Sequence, residues 1–475
     1  MRTNKLWLES FTRSRRQLSF TYGIDDLRFE NAYWYNDVDL IALERQYGQA
    51  MLNKVYFHIM AFEINKLISL QPATIDFGNF AAYQTTAFET LWLKITRNVW
   101  GQWRYEHQRP DYSGPEFTSK PAVRSIQAIQ RQATPTEDIL CFCGGGKDSL
   151  FAMTILERLQ LPYASFAYSN SVYGRADMQH KLIQNLLKHA QMTKQHQLWV
   201  YDSCIDSPVL SIYPEYGSKY ITAAETPSSI FSALPVLLQH GYQNIVLAHE
   251  HSANVGNLIW TLTGEEINHQ WGKSFAAEQL LNEYLRAEFI IDCNYFSILQ
   301  PVYDVLIFNG LKWAIEAVPA THSCNVDKPW CCRCPKCAYV WLNYMAYLDV
   351  NLVDSIFHAN LFDLKENQQW FYQMLGLGEN TPFECIGQIQ EVQLAFELCK
   401  RKGVTGKAMQ LYMQHFPSLD TKAIINKYTS VNMVQTGIPT AVAKLIEPHF
   451  HILSTETQQY LKSILNDEGT IKGGK

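Results

Sequence analysis

Three consecutive glycines, Gly144-Gly145-Gly146, stand directly before Lys147-Asp148-Ser149 in a stretch that alternates strand-length apolar runs with helical periodicity. Residues 138–143 read as a strand and residues 148–159 as a helix, so the glycines occupy a strand-to-helix turn. The alternation continues with a strand over 163–168, a helix over about 177–190, a strand over 197–201, a helix over 228–240 and a strand over 244–248. Strand and helix in regular succession predict an α/β fold, a parallel sheet with helices on both faces.

A turn of this kind has a definite chemistry. The amides at a helix start lack intrahelical partners, the helix dipole places positive charge there, and glycine lets a ligand approach the backbone. The site suits phosphate oxygens. Spacing removes two familiar phosphate loops. A Walker loop needs glycine where Cys141 stands and Ser or Thr where Asp148 stands, and the dinucleotide fingerprint lacks its third glycine.

At 475 residues the chain exceeds one ordinary domain, and 47% apolar with 18% charged residues suits a folded globular protein. Three units are expected: an N-terminal α+β region over 1–130, with a linker composition over 108–121; the α/β unit over 131–345; and a mostly helical region over 346–475, broken at 376–382 and 416–418. Forty basic against forty-five acidic residues give a net charge of −5, which disfavours nucleic acid as partner. No export signal or spanning segment is visible, and a soluble, cytoplasmic protein is expected.

Five of the eleven cysteines lie between Cys324 and Cys337. In a reducing compartment that crowding points to metal rather than disulfides. Cys324, Cys331, Cys334 and Cys337 make a C-x7-C-x2-C-x2-C set able to surround one tetrahedral zinc. With four sulfurs bound the ion has no open position, so its expected role is structural. Cys332 breaks the spacing and is assigned to packing unless it replaces Cys331, and Lys328, Arg333 and Lys336 would offset the thiolate charge.

Among the polar groups, Glu265 and Glu266, His269 and Lys273 are candidates for acid/base work, with Glu266, His269 and Lys273 expected on one helical face. Cys385 beside Glu384 could be an acid/base thiol, but among Phe383 and Ile386 it reads as a small core residue. Glu250 and Asn254 follow the strand over 244–248, at the carboxyl edge where open sheets bind ligands, and are expected to touch substrate or magnesium.

Residues 144–149 resemble the S-G-G-x-D-S loop of the PP-loop ATP pyrophosphatases, with glycine at the first serine. That resemblance implies that Gly144, Gly145 and Gly146 cradle the pyrophosphate end of ATP. It further implies that Lys147 and Ser149 donate to phosphate, and that Asp148 serves magnesium or caps the helix. The late cysteine cluster is similar to that of the 7-cyano-7-deazaguanine synthases, which adenylate and aminate a carboxylate.

A closer resemblance, over about residues 140–390, is to the MurL-type UDP-N-acetylmuramoyl-L-alanyl-L-glutamate epimerases. It is carried by Glu250-His251-Ser252-Ala253-Asn254, Glu266-Ile267-Asn268-His269-Gln270-Trp271, Tyr295-Phe296-Ser297-Ile298-Leu299, Ser323-Cys324-Asn325, Cys334-Pro335-Lys336-Cys337 and Pro382-Phe383-Glu384-Cys385. Gln388 stands where that family is expected to show glutamate, and Cys332 where it shows glycine. The resemblance implies ATP-dependent adenylation of a nucleotide-sugar peptide, with inversion of its terminal glutamate, and Lys147, Asp148, Ser149, Glu250, Glu266, His269 and Lys273 as the catalytic set. The alternatives are another adenylating enzyme of the superfamily and a non-catalytic nucleotide- or zinc-binding module.

Overall fold

The computed structural model describes residues 4–122, 126–130, 138–169, 171–213 and 223–465. The boundary expected at residue 131 and the tail 469–475 lie outside the described residues.

Ten strands form one sheet. An antiparallel meander comes first: β1 (Lys5–Arg13), β2 (Gln17–Ile24) and β3 (Leu27–Tyr35), with β4 (Thr74–Asp76) parallel to β1 and β5 (Glu116–Phe117) parallel to β4. The linker expected over 108–121 therefore contributes a short edge strand. Next come β6 (Ile139–Phe142), β7 (Tyr163–Tyr168), β8 (Lys194–Asp202) and β9 (Asn244–Leu247). A separate hairpin, β10 (Leu258–Trp260) with β11 (Glu265–Ile267), precedes β12 (Asn294–Ser297).

The strand order is β12-β9-β6-β7-β8-β3-β2-β1-β4-β5. Five neighbours, β12 to β8, are parallel, as the alternation of strand and helix predicts. The sheet as a whole is mixed, because the N-terminal strands join the parallel set rather than forming a unit of their own: β3 pairs with β8 antiparallel, with Tyr33 opposite Val200. β3 ends at Tyr35 and β8 begins only at Lys194, so the pairing leaves no local trace in sequence.

Both faces of the parallel half are covered, as the unbroken apolar character of its strands requires. Along β6, Ile139 and Cys141 face a core shared with the helices Lys147–Arg158, Asp304–Gly310 and Pro335–Tyr347 and with the C-terminal helices. Leu140 faces a second core shared with the helices Gln49–Ile64, Glu225–His240 and Phe275–Glu288. No helix among the described residues is long and apolar enough to cross a membrane.

A buried polar network ties the meander to β8. Tyr22 Oη and Asn31 Nδ2 donate to Asp202 at 2.8 and 3.0 Å, Tyr33 Oη donates to Glu63 at 2.6 Å, and Lys66 is paired with both carboxylates. A buried charge is tolerated when its partners are in place, and here each carboxylate has an ammonium and a hydroxyl.

The order of the parallel strands places the first, β6, between the second and the fourth, so the chain reverses direction across the sheet between β6 and β9. Loops leaving the carboxyl ends of two such strands diverge to opposite faces and open a crevice. In this chain those loops begin at Cys143 and Ala248.

Candidate active site

The glycine turn forms the floor of the crevice. The helix Lys147–Arg158 starts at Gly146, whose position carries no side-chain cap, so its first amides face the opening. The Gly144 amide donates to Ser149 Oγ at 3.1 Å, fixing that hydroxyl over the loop. Gly145 adopts φ +86°, and a Cβ there would fall 1.9 Å from the His322 ring. Glycine is required at that position both by the left-handed backbone and by this approach. The His322 amide closes the same contact by donating to the Gly145 carbonyl at 2.9 Å.

A cleft of about 230 Å³, open to solvent, rises from this floor. Gly144, Gly146, Asp148 and Ser149 line its base; Tyr168, Tyr173, Gln179, Glu225 and Ser229 form one wall; His249, Lys273 and Cys385 form another; and His322, Ser323, Asn325, Lys328 and Lys336 close the top. Three lysines thus line the same cleft as the uncapped helix start, a field suited to a polyanion. His322 is buried without a well-formed hydrogen bond at either ring nitrogen, and burial lowers its pKa to about 4, so it stays neutral.

Lys147 does not reach the cleft. Its ammonium lies inside the protein, paired with Asp304 Oδ1 at 2.6 Å and with Asp148, and above the Phe308 ring at 4.7 Å. Tyr339 Oη donates to the other oxygen of Asp304 at 2.6 Å. Lys147 therefore props Asp148 toward the cleft in this structure rather than offering a donor itself, which corrects the expectation of a direct phosphate contact. Asp304 escaped the sequence reading because nothing local marks an aspartate at a helix start as the partner of a lysine far upstream.

Glu250 is buried close to Lys147 and Lys273. Burial, aided by Asp304 and Asp148, pushes its carboxyl up to about 8. Asn254 is committed to the scaffold: it donates to the His251 carbonyl and to Gln300, and accepts from the Phe275 amide. It faces a second cavity with Glu266, Arg97 and Arg104, apart from the cleft.

The expected shared helical face of Glu266, His269 and Lys273 does not form. Glu266 lies in β11 and accepts from the Gly256 amide, while Lys273 ends a short 3-10 turn. Glu265 is engaged by Arg97 and Arg104. Gly264 at φ +72° turns the chain back between β10 and β11, a hairpin signal in the sequence that the helical reading overlooked.

His269 and Lys273 meet instead at Cys385. Lys273 Nζ donates to Cys385 Sγ at 3.0 Å, and the His269 nitrogen, the Glu384 carboxylate and the Cys385 sulfur lie within 4.8 Å of one another. His269 Nδ1 contacts Gln102 Oε1 at 2.6 Å, and Glu384 accepts from the Cys385 amide at 2.8 Å. Burial opposes charge on the Cys385 sulfur, but Lys273, His269 and Lys336 outweigh it and bring the thiol down to about 7. Cys385 is thus no core residue, which corrects the sequence reading.

The cysteine cluster stands behind the top of the cleft. Cys324, Cys331, Cys334 and Cys337 place their sulfurs within 4.8 Å of one another, with Cys324–Cys334 at 3.8 Å and Cys331–Cys337 at 3.9 Å. A tetrahedron with metal–sulfur bonds of about 2.3 Å has edges of about 3.8 Å, so the residues fit zinc. Backbone amides of Val326, Asp327, Arg333 and Cys337 point at sulfurs at 3.3–3.4 Å, the donors that thiolates need. Cys332 turns away toward the Trp330 and Phe357 carbonyls, leaving Cys331 in the set. Gln388 caps the helix Ile389–Arg401 in a reciprocal box with Glu391.

Comparison with known sequences bears on these same segments. Residues 223–298 match the family described as the MurL N-terminal domain, and residues 320–421 match the MurL C-terminal domain. A UDP-N-acetyl-alpha-D-muramoyl-L-alanyl-L-glutamate epimerase of a Micromonospora species is 27% identical over 331 residues, 68% of each chain. Proteins of the same name from Xanthomonas oryzae pv. oryzae and Salinispora tropica are 30% and 29% identical over 179 and 173 residues, 39% and 37% of their lengths. No solved structure matches the chain significantly. The cleft wall carrying Lys273 and Cys385 and the cleft top carrying His322 and Lys336 therefore come from the two segments that are similar to MurL domains.

Proposed function

We propose that the protein is an ATP-dependent epimerase acting on the terminal L-glutamate of UDP-N-acetylmuramoyl-L-Ala-L-Glu, a nucleotide-sugar peptide precursor of peptidoglycan. The observation that carries the reading is convergence: residues of both MurL-similar segments meet over a glycine turn at the sheet's switch point. The names of the relatives supply the substrate.

The chemistry is coherent with the groups present. A proton on carbon beside an ionised carboxylate is held firmly, because the resulting carbanion would sit next to a negative charge. Joining that carboxylate to AMP, with release of pyrophosphate, removes the charge. The amides at Gly146 and beyond, Ser149 Oγ and the lysines Lys273, Lys328 and Lys336 bind and orient the phosphates. Asp148, whose Oδ1 is paired with Lys147, keeps a second oxygen for a hard cation such as magnesium, which when bound would neutralise phosphate charge. Glu250, held largely protonated near neutral pH, adds little repulsion toward an incoming anion. The four cysteines would hold a structural zinc that keeps His322 to Lys328 over the loop.

The test uses the full chain with ATP, magnesium and UDP-N-acetylmuramoyl-L-Ala-L-Glu in heavy water. AMP, pyrophosphate and deuterium at the glutamate α-carbon are expected. AMP release only with an added amine or tRNA would favour another adenylating reaction, and no turnover would favour a nucleotide- or zinc-binding module.

A further inference from the structure

The Cys385 cluster presents one unshared electron pair to the cleft. Lys273 carries a full charge and has no lone pair to offer, since Cys385, Glu250 and Glu225 overcome the effect of burial and raise its pKa. His269 lies behind the cleft lining, anchored on Gln102, with its other nitrogen toward the sulfur. Glu384 accepts from the Cys385 amide and from Asn325 Nδ2 at one oxygen, Oε1, and is not among the residues lining the cleft. Of the two cluster residues that line the cleft, Lys273 and Cys385, only the sulfur has an electron pair to offer, and Lys336 Nζ clamps the Cys385 carbonyl, fixing where that sulfur points.

From this placement we infer that Cys385 moves the α-proton of the activated glutamyl group on one face, with Lys273 and His269 as positioning residues. The inference rests on the carboxyl-activation reading above. In the step, the sulfur lone pair takes the α-proton: an S–H bond forms, the C–H bond breaks, and its electron pair moves onto the acyl carbonyl oxygen as an enolate. A second acid protonates the opposite face, the enolate pair returns to form the new C–H bond, and the thiol gives its proton to water. Nothing is oxidised or reduced. A neighbouring thiol makes the contrast: Cys143 also lines the cleft but has no cation beside it, and burial pushes it up to about 12. Of the two cysteines that line the cleft, Cys385 has the surroundings of a working thiolate and Cys143 does not.

The test compares wild type with Cys385→Ala and Cys385→Ser as full chains, in heavy water with ATP, magnesium and the dipeptide substrate. Both variants should release AMP and pyrophosphate within about threefold of wild type. Formation of deuterated D-glutamyl product should fall by about a hundredfold or more, the usual worth of a general acid or base. Deuterium entering recovered L-substrate without inversion also supports the inference, placing Cys385 on the product side. Inversion at the wild-type ratio to AMP overturns it, as does AMP release falling in step with inversion. Absence of AMP from wild type overturns the activation reading and this inference together. Should the variants not fold, iodoacetamide alkylation of Cys385 in wild type, located by mass spectrometry, makes the same comparison, and an alkylated enzyme that still inverts refutes the assignment.

Discussion

At the scale of single residues, the site depends on positions where a side chain is forbidden or a charge is displaced. Gly145→Ala would force a Cβ into the His322 ring and a left-handed backbone onto alanine. A loss of about 1–3 kcal/mol in urea unfolding is expected, together with at least a tenfold fall in AMP release; a variant unchanged in both would contradict the packing described. Glu278 offers a titration test away from the cleft. Burial raises its carboxyl from 4.5 to about 7, although the Ser297 and Gly437 amides oppose this. A raised folded-state pKa means that the folded form holds a proton which the unfolded chain releases, so the contribution is present below pH 4.5 and is lost as pH rises through about 7. Unfolding midpoints in urea should therefore show wild type losing stability relative to Glu278→Gln between pH 5 and 8, and parallel pH profiles would contradict the shift. The glycine turn was legible because its chemistry is local. Cys385 was not, since Lys273 and His269, which change its character most, lie more than a hundred residues upstream.

Elements show the same division. The strands β6 to β9 and the helices between them follow from periodicity alone, because an apolar run of strand length and a helical stripe are local signals. The hairpin β10–β11 was lost in a helical reading, since three-residue strands carry too little period to be recognised. The segment from Thr321 to Pro335 has little regular structure, and its shape is set by the cysteine cluster and by the contact of His322 with Gly145. Cysteine spacing made that cluster legible, and the sulfur positions settled Cys331 over Cys332. About one zinc per chain is expected by elemental analysis. Cys337→Ser should lose it and unfold at lower temperature, with nucleotide binding weakened because the top of the cleft is released; full zinc content in that variant would contradict the four-sulfur site.

For the whole molecule, the N-terminal strands extend the sheet that carries the site, through a pairing of β3 with β8 and the network around Lys66 and Asp202. Sequence reading saw strands there but could not see their partners, because register between distant segments depends on burial that forms only in the fold. The net charge of −5 and the lysines gathered at one cleft together describe an acidic protein with a local field for a phosphorylated ligand. The proposed reaction activates a substrate carboxylate by attachment to AMP in this cleft. Its most direct test is to supply ATP and magnesium with substrate labelled by ¹⁸O in the glutamate α-carboxylate, then weigh the AMP released. One ¹⁸O atom is expected in each AMP, carried over when the acyl–oxygen bond is hydrolysed; unlabelled AMP, or cleavage to ADP and phosphate, would contradict activation through AMP.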